Sequence, residues 1–409
     1  MTILRISWRN LWRNPRRTGI TVFSMSFGLT MMIVAYALMD GMYGQMVQFA
    51  TVLGTGHIQI HKPGYLDNRS LYETIDKPEA VLRVVDSANE GWAAPRSYAT
   101  ALVSSGPQSA GGYIWGIDPS RERRVTDFQH HLESGVFLSE GGRGKVVLGH
   151  NLAKTLSVGP GDEVVLLAQA ADGSLGNAIY TVSGVLQSIG ETIDRTGVLM
   201  DIRDMDDLMV LHGKIHEVAV RLARPDRLAE ALSRFKTLMA PMGLEVKSWR
   251  ELLPGLSEVL KLSSTSTTIV LFIIFAVASL GIVNTQLMAL FERTREIGVM
   301  RALGLGPIPV AAIVFLETIF MTIISAVAGG VGGALWSWYL EVYGWDISNF
   351  GGSFAYAGVT FDPHLHASLT LTAVVQSVEI MLVVSMLATI YPLFKAARIT
   401  PATAVGRGR

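Results

Sequence analysis

Residues 291–307 read FERTREIGVMRALGLGP and lie between two long apolar runs, Ile269–Phe291 and Ile308–Leu340. If both runs cross a bilayer, the segment is a short loop, and Arg293, Arg295 and Arg301 put it on the cytoplasmic side, where short basic loops are retained. Ile297, Met300 and Leu303 recur at helical spacing and share one face, while Glu292, Arg295 and Glu296 stand on neighbouring turns close enough to pair. The loop therefore reads as a short amphipathic helix. Gly304, Gly306, Pro307 and Pro309 end it, because glycine supplies a left-handed cap and proline cannot continue the hydrogen-bond ladder. On these residues alone two readings stand: a basic connector that only fixes topology, or a rigid helix that inserts into a soluble partner and transmits its motion.

The rest of the composition agrees with a chain that is part membrane and part soluble. Of 409 residues, 49% are hydrophobic and 17% charged, with a mean hydropathy of +0.36, between the values of a soluble domain and a membrane bundle. The formal net charge is zero, so nothing points to a nucleic-acid partner. The absence of cysteine excludes disulfides, thiolate metal sites and thiol nucleophiles together.

Residues 1–17 carry Arg5, Arg9, Arg13, Arg16 and Arg17 without an acid, and Leu4, Trp8, Leu11 and Trp12 form one stripe. Such a helix is expected to lie in the membrane interface on the cytoplasmic side, in contact with lipid headgroups. Ile20–Met39 carries no charge and is long enough to cross about 30 Å of hydrocarbon. It is too long for a signal-peptide core and is not followed by a small-x-small cleavage site, so it reads as an uncleaved first span. The full division is 1–17 interfacial helix, 18–44 first span, 45–264 extracytoplasmic domain with stalk, 265–291 second span, 292–306 cytoplasmic helix, 307–342 third span, 343–366 outside loop, 367–394 fourth span and 395–409 cytoplasmic tail. Basic residues at both ends put both termini inside.

Within 45–264 the pattern changes to charges, turn residues and alternating apolar positions. His57–His61 alternates like a strand, Pro78–Ser87 is helical with proline in its first turn, and Tyr98–Ser105 and Tyr113–Ile117 are strand-like. In VVLGHNLAKTLSVGPGDEVVLL, residues 146–167, a strand enters a helix at Asn151–Leu156, and Gly159, Pro160 and Gly161 turn the chain into a strand at Glu163–Ala168. Strands are expected at Ile179–Leu186, Gly197–Met200 and Val218–Leu222, with helices at Asp204–Leu211 and Leu228–Met239. The fold class is an α-helical membrane bundle of four spans with a large α+β extracytoplasmic domain inserted between the first and second.

ERTREIGVMRALG at 292–304 resembles the loop between the second and third spans of the MacB/FtsX/LolC-type ABC transporter permeases. LGxxLAxxLxxxxGD at 148–162, the Asp172-Gly173 turn, VSGV at 182–185 and GVLMDIRDMDDLM at 197–209 are similar to that family's periplasmic core domain, and YPLFKAARITPATAV at 391–405 to its C-terminal signature. The resemblance covers nearly the whole chain, and HIQIHKPGY at 57–65 is nearer to the lipoprotein-releasing LolC/LolE members than to the MacB members. It implies that Glu292, Arg293, Thr294, Arg295, Glu296, Ile297, Met300, Arg301, Leu303 and Gly304 form a coupling helix that docks on an ATPase subunit.

Glu317 and Glu379 lie inside apolar spans, where a charged carboxylate costs a few kcal/mol, so each is expected to face a polar partner or a wet cavity. A structural contact within the bundle is preferred to a proton relay. Ala326, Gly330 and Ala334 recur every fourth residue beside Gly329 and Gly333, a small-residue stripe read as helix packing. Ser24, Ser26 and Gly28 mark a similar point in the first span. No metal site or cofactor is expected: His57 with His61, His130 with His131 and His364 with His366 each lack a third ligand in register. There is no G-x-S-x-G elbow, and Gly144-Lys145 and Gly213-Lys214 lack the earlier glycine of a P-loop. Nucleotide-driven work must come from another polypeptide.

The leading reading is a non-enzymatic permease subunit of an ABC transporter in a bacterial inner membrane, working by mechanotransmission with a separate P-loop ATPase and a second permease, identical or related. The resemblance implies a lipoprotein released from the membrane as substrate. MacB-like export of an amphipathic drug or peptide is the alternative, followed by FtsX-like signalling to a cell-wall hydrolase and by a membrane-anchored binding protein without an ATPase. The extracytoplasmic insertion, of about 200 residues, is large for the FtsX-like subgroup.

Overall fold

The computed structural model describes residues 2–346, 355–356, 359–360 and 364–399. The chain divides into two compact units, one containing Gln45–Val259 and the other the helical segments on either side. Helix α1, Thr2–Arg13, is followed without a loop by α2, Pro15–Ala50, which closes in a single widened turn at Thr51–Thr55.

The α+β expectation holds for the unit of residues 45–259. Its elements run β1 (Ile58–His61), α3 (Tyr65–Asn68), α4 (Pro78–Ala88), β2 (Gly91–Ser105), β3 (Gln108–Ile117), α5 (Pro119–Val125), β4 (Leu132–Gly135), β5 (Lys145–Leu148), α6 (His150–Leu156), β6 (Glu163–Gln169) and β7 (Leu175–Leu186). They continue as α7 (Glu191–Thr196), β8 (Gly197–Asp201), α8 (Ile202–Met209), β9 (Glu217–Leu222), α9 (Leu228–Met239), β10 (Glu245–Ser248) and α10 (Trp249–Leu252). Strands β10, β1, β9 and β2 lie side by side, all antiparallel, with α4 and α9 as the crossovers between β1 and β2 and between β9 and β10. This is a split β-α-β layer. Its core is Ile58, Ile60, Val81, Val85, Val218, Val220, Phe235 and Val246, from one face of the sheet and the apolar stripes of both helices.

A second motif is inserted between β2 and β9. β2 pairs with β3, β3 with β8, β8 with β5, β5 with β7, β7 with β6, and β6 returns to β2 through Leu102–Ser104 against Val165–Leu167, which closes a barrel. Inward side chains Val103, Ile114, Val146, Leu148, Val164, Leu166, Val182, Val198 and Met200 fill it. Closure removes the free edges that an open sheet would expose. Gly112 is needed in the β3 wall, because a Cβ there would meet the Val103 side chain.

Sequence patterning found the elements with clean periodicity and missed those without it. The β2–β3 hairpin begins earlier and runs through Ala110-Gly111-Gly112, whose small residues hide the alternation. The short elements α3, α5, β4, α7, β10 and α10 had no expected counterpart.

After α10 the chain enters α11, Pro254–Glu292, then α12, Thr294–Ala302, α13, Pro307–Tyr343, and α14, Leu371–Ala397. Among the described residues, Pro15–Thr55, Pro307–Tyr343 and Leu371–Ala397 are long and apolar enough to cross a membrane. The expected second span falls in α11, several of whose side chains lie outside the described residues. Most of the expected outside loop and residues 400–409 of the tail are likewise outside them.

Close packing of α13 falls one position from the expected stripe. Gly329 and Gly333 are buried against α2: a Cβ on Gly329 would lie 2.6 Å from the Ser26 carbonyl oxygen, and one on Gly333 2.8 Å from the Ile33 Cβ. Ser325 and Ser337 continue this row fully buried. Gly330 has open space around its Cβ position, Ala326 and Ala334 are half-buried, and Ala326 borders the Leu29, Ile33 and Met381 cluster. One residue is about 100° of helix rotation, enough to move a small residue off the contact line.

Candidate functional site: a braced helix between membrane segments

Helix α12 forms where the sequence places it. Arg293 interrupts the ladder from α11 with φ −99° and ψ 8°, and Gly304 at φ +97° ends the turn before Pro307 opens α13. Ile297 is buried and Met300 half-buried in an apolar cluster with Leu290, Val310, Val314 and Ala396, which seats the helix on α11, α13 and α14. Thr294 bonds the Leu290 carbonyl.

Two features differ from the sequence reading. Leu303 does not share the buried face of Ile297 and Met300. It is 83% exposed, because it caps the helix and leaves its periodicity. Nor do Glu292, Arg295 and Glu296 pair among themselves. Arg13 of α1 donates two hydrogen bonds, 2.9 and 2.7 Å, to the carboxylate of Glu296, and Arg17 of α2 donates one of 2.8 Å to Glu292. Arg13 holds the Glu296 carboxyl below its ordinary range, through this hydrogen bond first. Arg295 is exposed, without an ion pair among the described residues. The α12 surface free of contacts therefore presents Arg295, Val299 and Leu303.

Below α12 lies a buried polar cluster that spacing could not show. Arg293, 8% exposed, donates 2.9 Å to Glu317, which is 7% exposed, and its second terminal nitrogen donates 3.0 Å to the Asn10 carbonyl. Asn10 returns a 2.7 Å bond from its amide to the same Glu317 oxygen, and Ser7 bonds the Ile313 carbonyl. Arg293, Glu317 and Asn10 line a cavity of about 140 Å³ with Gln286, Ile297 and Met300. Glu317 thus has polar contacts inside the bundle. Glu379 has none among the described residues and is exposed on α14, so this chain does not supply the bundle contact expected for it. On the other side Arg301 donates 2.8 Å bonds to the carbonyls of Ala397 and Ile399, and Lys395 lies 4.6 Å from the ring centre of Phe291.

Helix α1 is consequently a brace for α12 and α13. Leu11 and Ser7 are buried, while Leu4, Trp8 and Trp12 remain exposed. The arrangement supplies positioning. Its mechanical sense is that α12 cannot tilt without moving α1, α13 and the end of α14. The signal for this was present in the sequence as Asn10, Arg13 and Arg17 opposite Glu292, Glu296 and Glu317, but their separation of 275 to 307 residues hid it.

Residues 18–238 match the MacB-like periplasmic core domain, and residues 268–401 match the FtsX-like permease C-terminal family. The chain is 26% identical over 407 residues to the lipoprotein-releasing system transmembrane protein LolC of Xylella fastidiosa, covering 96% of each chain. It is 24% identical to the LolC of Neisseria meningitidis, covering 95% of this chain and 93% of the other. It is also 25% identical to the macrolide export ATP-binding/permease protein MacB of Nitrobacter winogradskyi, over 79% of this chain and 51% of that one.

Proposed function

We propose that this chain, which belongs to the family of the MacB-like periplasmic core domain, is an ABC transporter permease subunit that releases lipoproteins from a bacterial inner membrane by mechanotransmission. The observation that carries the lipoprotein reading is near end-to-end similarity to proteins named LolC, 96% of both chains in the Xylella case. The nucleotide engine is a separate P-loop ATPase, and a second permease, identical or related, completes the membrane assembly. Four spans, with both termini cytoplasmic and residues 45–264 outside, fit the positions of the basic residues. In this scheme the ATPase grips the open face of α12 at Arg295, Val299 and Leu303, and its closure displaces α12 as a rigid body. The Arg13–Glu296, Arg17–Glu292 and Arg293–Glu317 contacts carry that displacement into α1, α2 and α13.

Export of an amphipathic drug or peptide is the second reading, favoured by the similarity to a macrolide exporter. To decide between them, the purified complex is reconstituted in vesicles holding a triacylated lipoprotein. ATP-dependent release into solution is expected, and retention of lipoprotein with ATP-driven movement of an amphipathic drug overturns the lipoprotein reading. Capture of a P-loop ATPase on the full-length chain tests the partner. Arg295→Ala, Val299→Ala and Leu303→Ala together are expected to release it, and unchanged capture by the triple variant moves the docking face elsewhere.

A further inference from the structure

Within residues 45–259 a cleft of about 340 Å³ is unrelated to the α12 site, and its volume is that of a small-molecule pocket, about 300–1,000 Å³. Tyr98, Tyr113 and Trp115 form its floor. The Tyr98 and Tyr113 rings stack with centres 5.5 Å apart, and Trp115 stands edge-on to Tyr98 at 5.1 Å. Beneath the floor, fully buried Arg96 donates 3.2 and 2.7 Å bonds to Glu122, 3.3 Å to Glu217 and 2.6 Å to the Gly54 carbonyl, and the Tyr98 hydroxyl donates 2.8 Å to Glu217. A buried charge network that is internally satisfied adds little stability over an apolar replacement of equal volume, but it fixes the groups above it in place.

The mouth is different. Arg69 caps α3 in the left-handed region, φ 47° and ψ 45°, with its N–H bonded to the Tyr65 carbonyl at 2.7 Å. A non-glycine residue there carries roughly 1 kcal/mol of backbone strain. Its guanidinium faces the Tyr113 hydroxyl with Glu217 within electrostatic reach, and among the described residues no carboxylate lies within ion-pair distance of it. A cation with no ion pair among the described residues thus stands at the entrance to an aromatic cleft. Phe49, Leu53, Ile189, Ile193 and Leu253 make the apolar part of the walls, and Gln59, Thr192 and the Glu217 carboxylate, the last held by Arg96 and the Tyr98 hydroxyl, also line the cleft. Four backbone acceptors along the Thr51–Thr55 wall are already used: Gly56 N bonds Thr51 O at 2.8 Å, Asp127 N bonds Val52 O at 3.3 Å, Gln59 bonds Thr55 O at 3.0 Å, and Arg96 takes Gly54 O. An alkyl chain needs no hydrogen bond from such walls, whereas a peptide would leave its own backbone groups unpaired.

We propose that this cleft binds an anionic amphiphile with a single alkyl chain, the head held by Arg69 beside the Tyr113 hydroxyl and the chain lying over the Tyr98–Trp115 floor. The assignment stands without the transport reading, since capture of an ATPase and occupancy of the cleft are separate measurements. The full-length protein in zwitterionic nanodiscs is irradiated with a diazirine-bearing palmitate, and the labelled peptides are mapped by mass spectrometry. Labelling is expected on the segments of Phe49–Leu53 and Ile189–Ile193, displaced by excess palmitate and not by hexadecyltrimethylammonium. Arg69→Gln should lower it roughly 10-fold or more, in line with loss of a charge-assisted hydrogen bond. Arg69→Lys should keep most of it, and Leu53→Trp should block the chain while leaving Arg69 in place. Labelling confined to the apolar helices, equal displacement by the cationic amphiphile, or displacement by an apolar peptide carboxylate and not by palmitate overturns the proposal. Should Arg69→Gln fail to fold, the head-group competition on the unaltered protein decides.

Discussion

Arg293→Leu should loosen α12 far more than any surface charge change, and the size of the effect follows from burial. Arg293 and Glu317 are 8% and 7% exposed and 2.9 Å apart, so removing the cation leaves a carboxylate enclosed by α1, α11 and α13 with only the Asn10 amide to neutralise it. Breaking a buried pair in this way costs about 3–5 kcal/mol. If α12 opens locally, that cost appears as amide exchange in Thr294–Ala302 accelerated by roughly 100- to 4,000-fold. The double variant Arg293→Leu with Glu317→Leu removes both charges, and its exchange should return most of the way to that of the unaltered protein, because two apolar side chains need no compensation. Hydrogen exchange with mass spectrometry on the full-length protein in nanodiscs measures all three. Unchanged exchange in Arg293→Leu, or a double variant as fast as the single, would show that the pair does not hold α12.

The exposed pair behaves differently. Arg13→Ala removes two bonds to a half-exposed Glu296 and should cost about 0.2–1 kcal/mol, an effect that fades in 1 M salt. Because Arg13 depresses the Glu296 carboxyl, this contribution is present above the ordinary carboxylate range and is lost as pH falls from that range through the depressed value, which exchange rates of α12 at pH 7 and pH 3, corrected for intrinsic exchange, would reveal. Gly329→Ala forces α2 and α13 apart and should destabilise by about 1–3 kcal/mol, while Gly330→Ala next to it should be neutral or slightly stabilising; thermal unfolding in detergent compares them. Burial pushes His57 down to about 4, with help from Arg221, and burial also lowers His61 and His216. The unfolded chain therefore takes up the proton first. Residues 45–259 should be most stable above pH 6.5 and lose about 2 kcal/mol by pH 5 from His57 alone, and denaturant melts with equal midpoints at pH 7.5 and pH 5 would contradict this.

The sequence by itself determined the elements whose cause is local. Long apolar runs at Ile20–Met39, without a charge, and Ile308–Leu340, with Glu317 alone, read as membrane helices, and the 4-residue strand at Ile58–His61 and the 12-residue helix at Leu228–Met239 followed from period alone. Gly304 and Pro307 marked the end of α12 and the start of α13, because a left-handed cap and a missing N–H act on the residues beside them. The tertiary structure decided which partner each charged side chain takes. Glu317 could have been a relay or a contact; it meets Arg293 because the α11–α12 junction packs on α13, and Asn10 because α1 folds back on α13. The contact row on α13 is Gly329–Gly333 and not the neighbouring row, a rotation set by where α2 lies, which no repeat of small residues specifies. Closure of the barrel and the charge network under Tyr98 and Trp115 join strands far apart in the chain, and Arg96 reaches Glu217 across 121 positions. Period and capping act over one helical turn, whereas burial and pairing depend on which surfaces meet once the whole chain has folded.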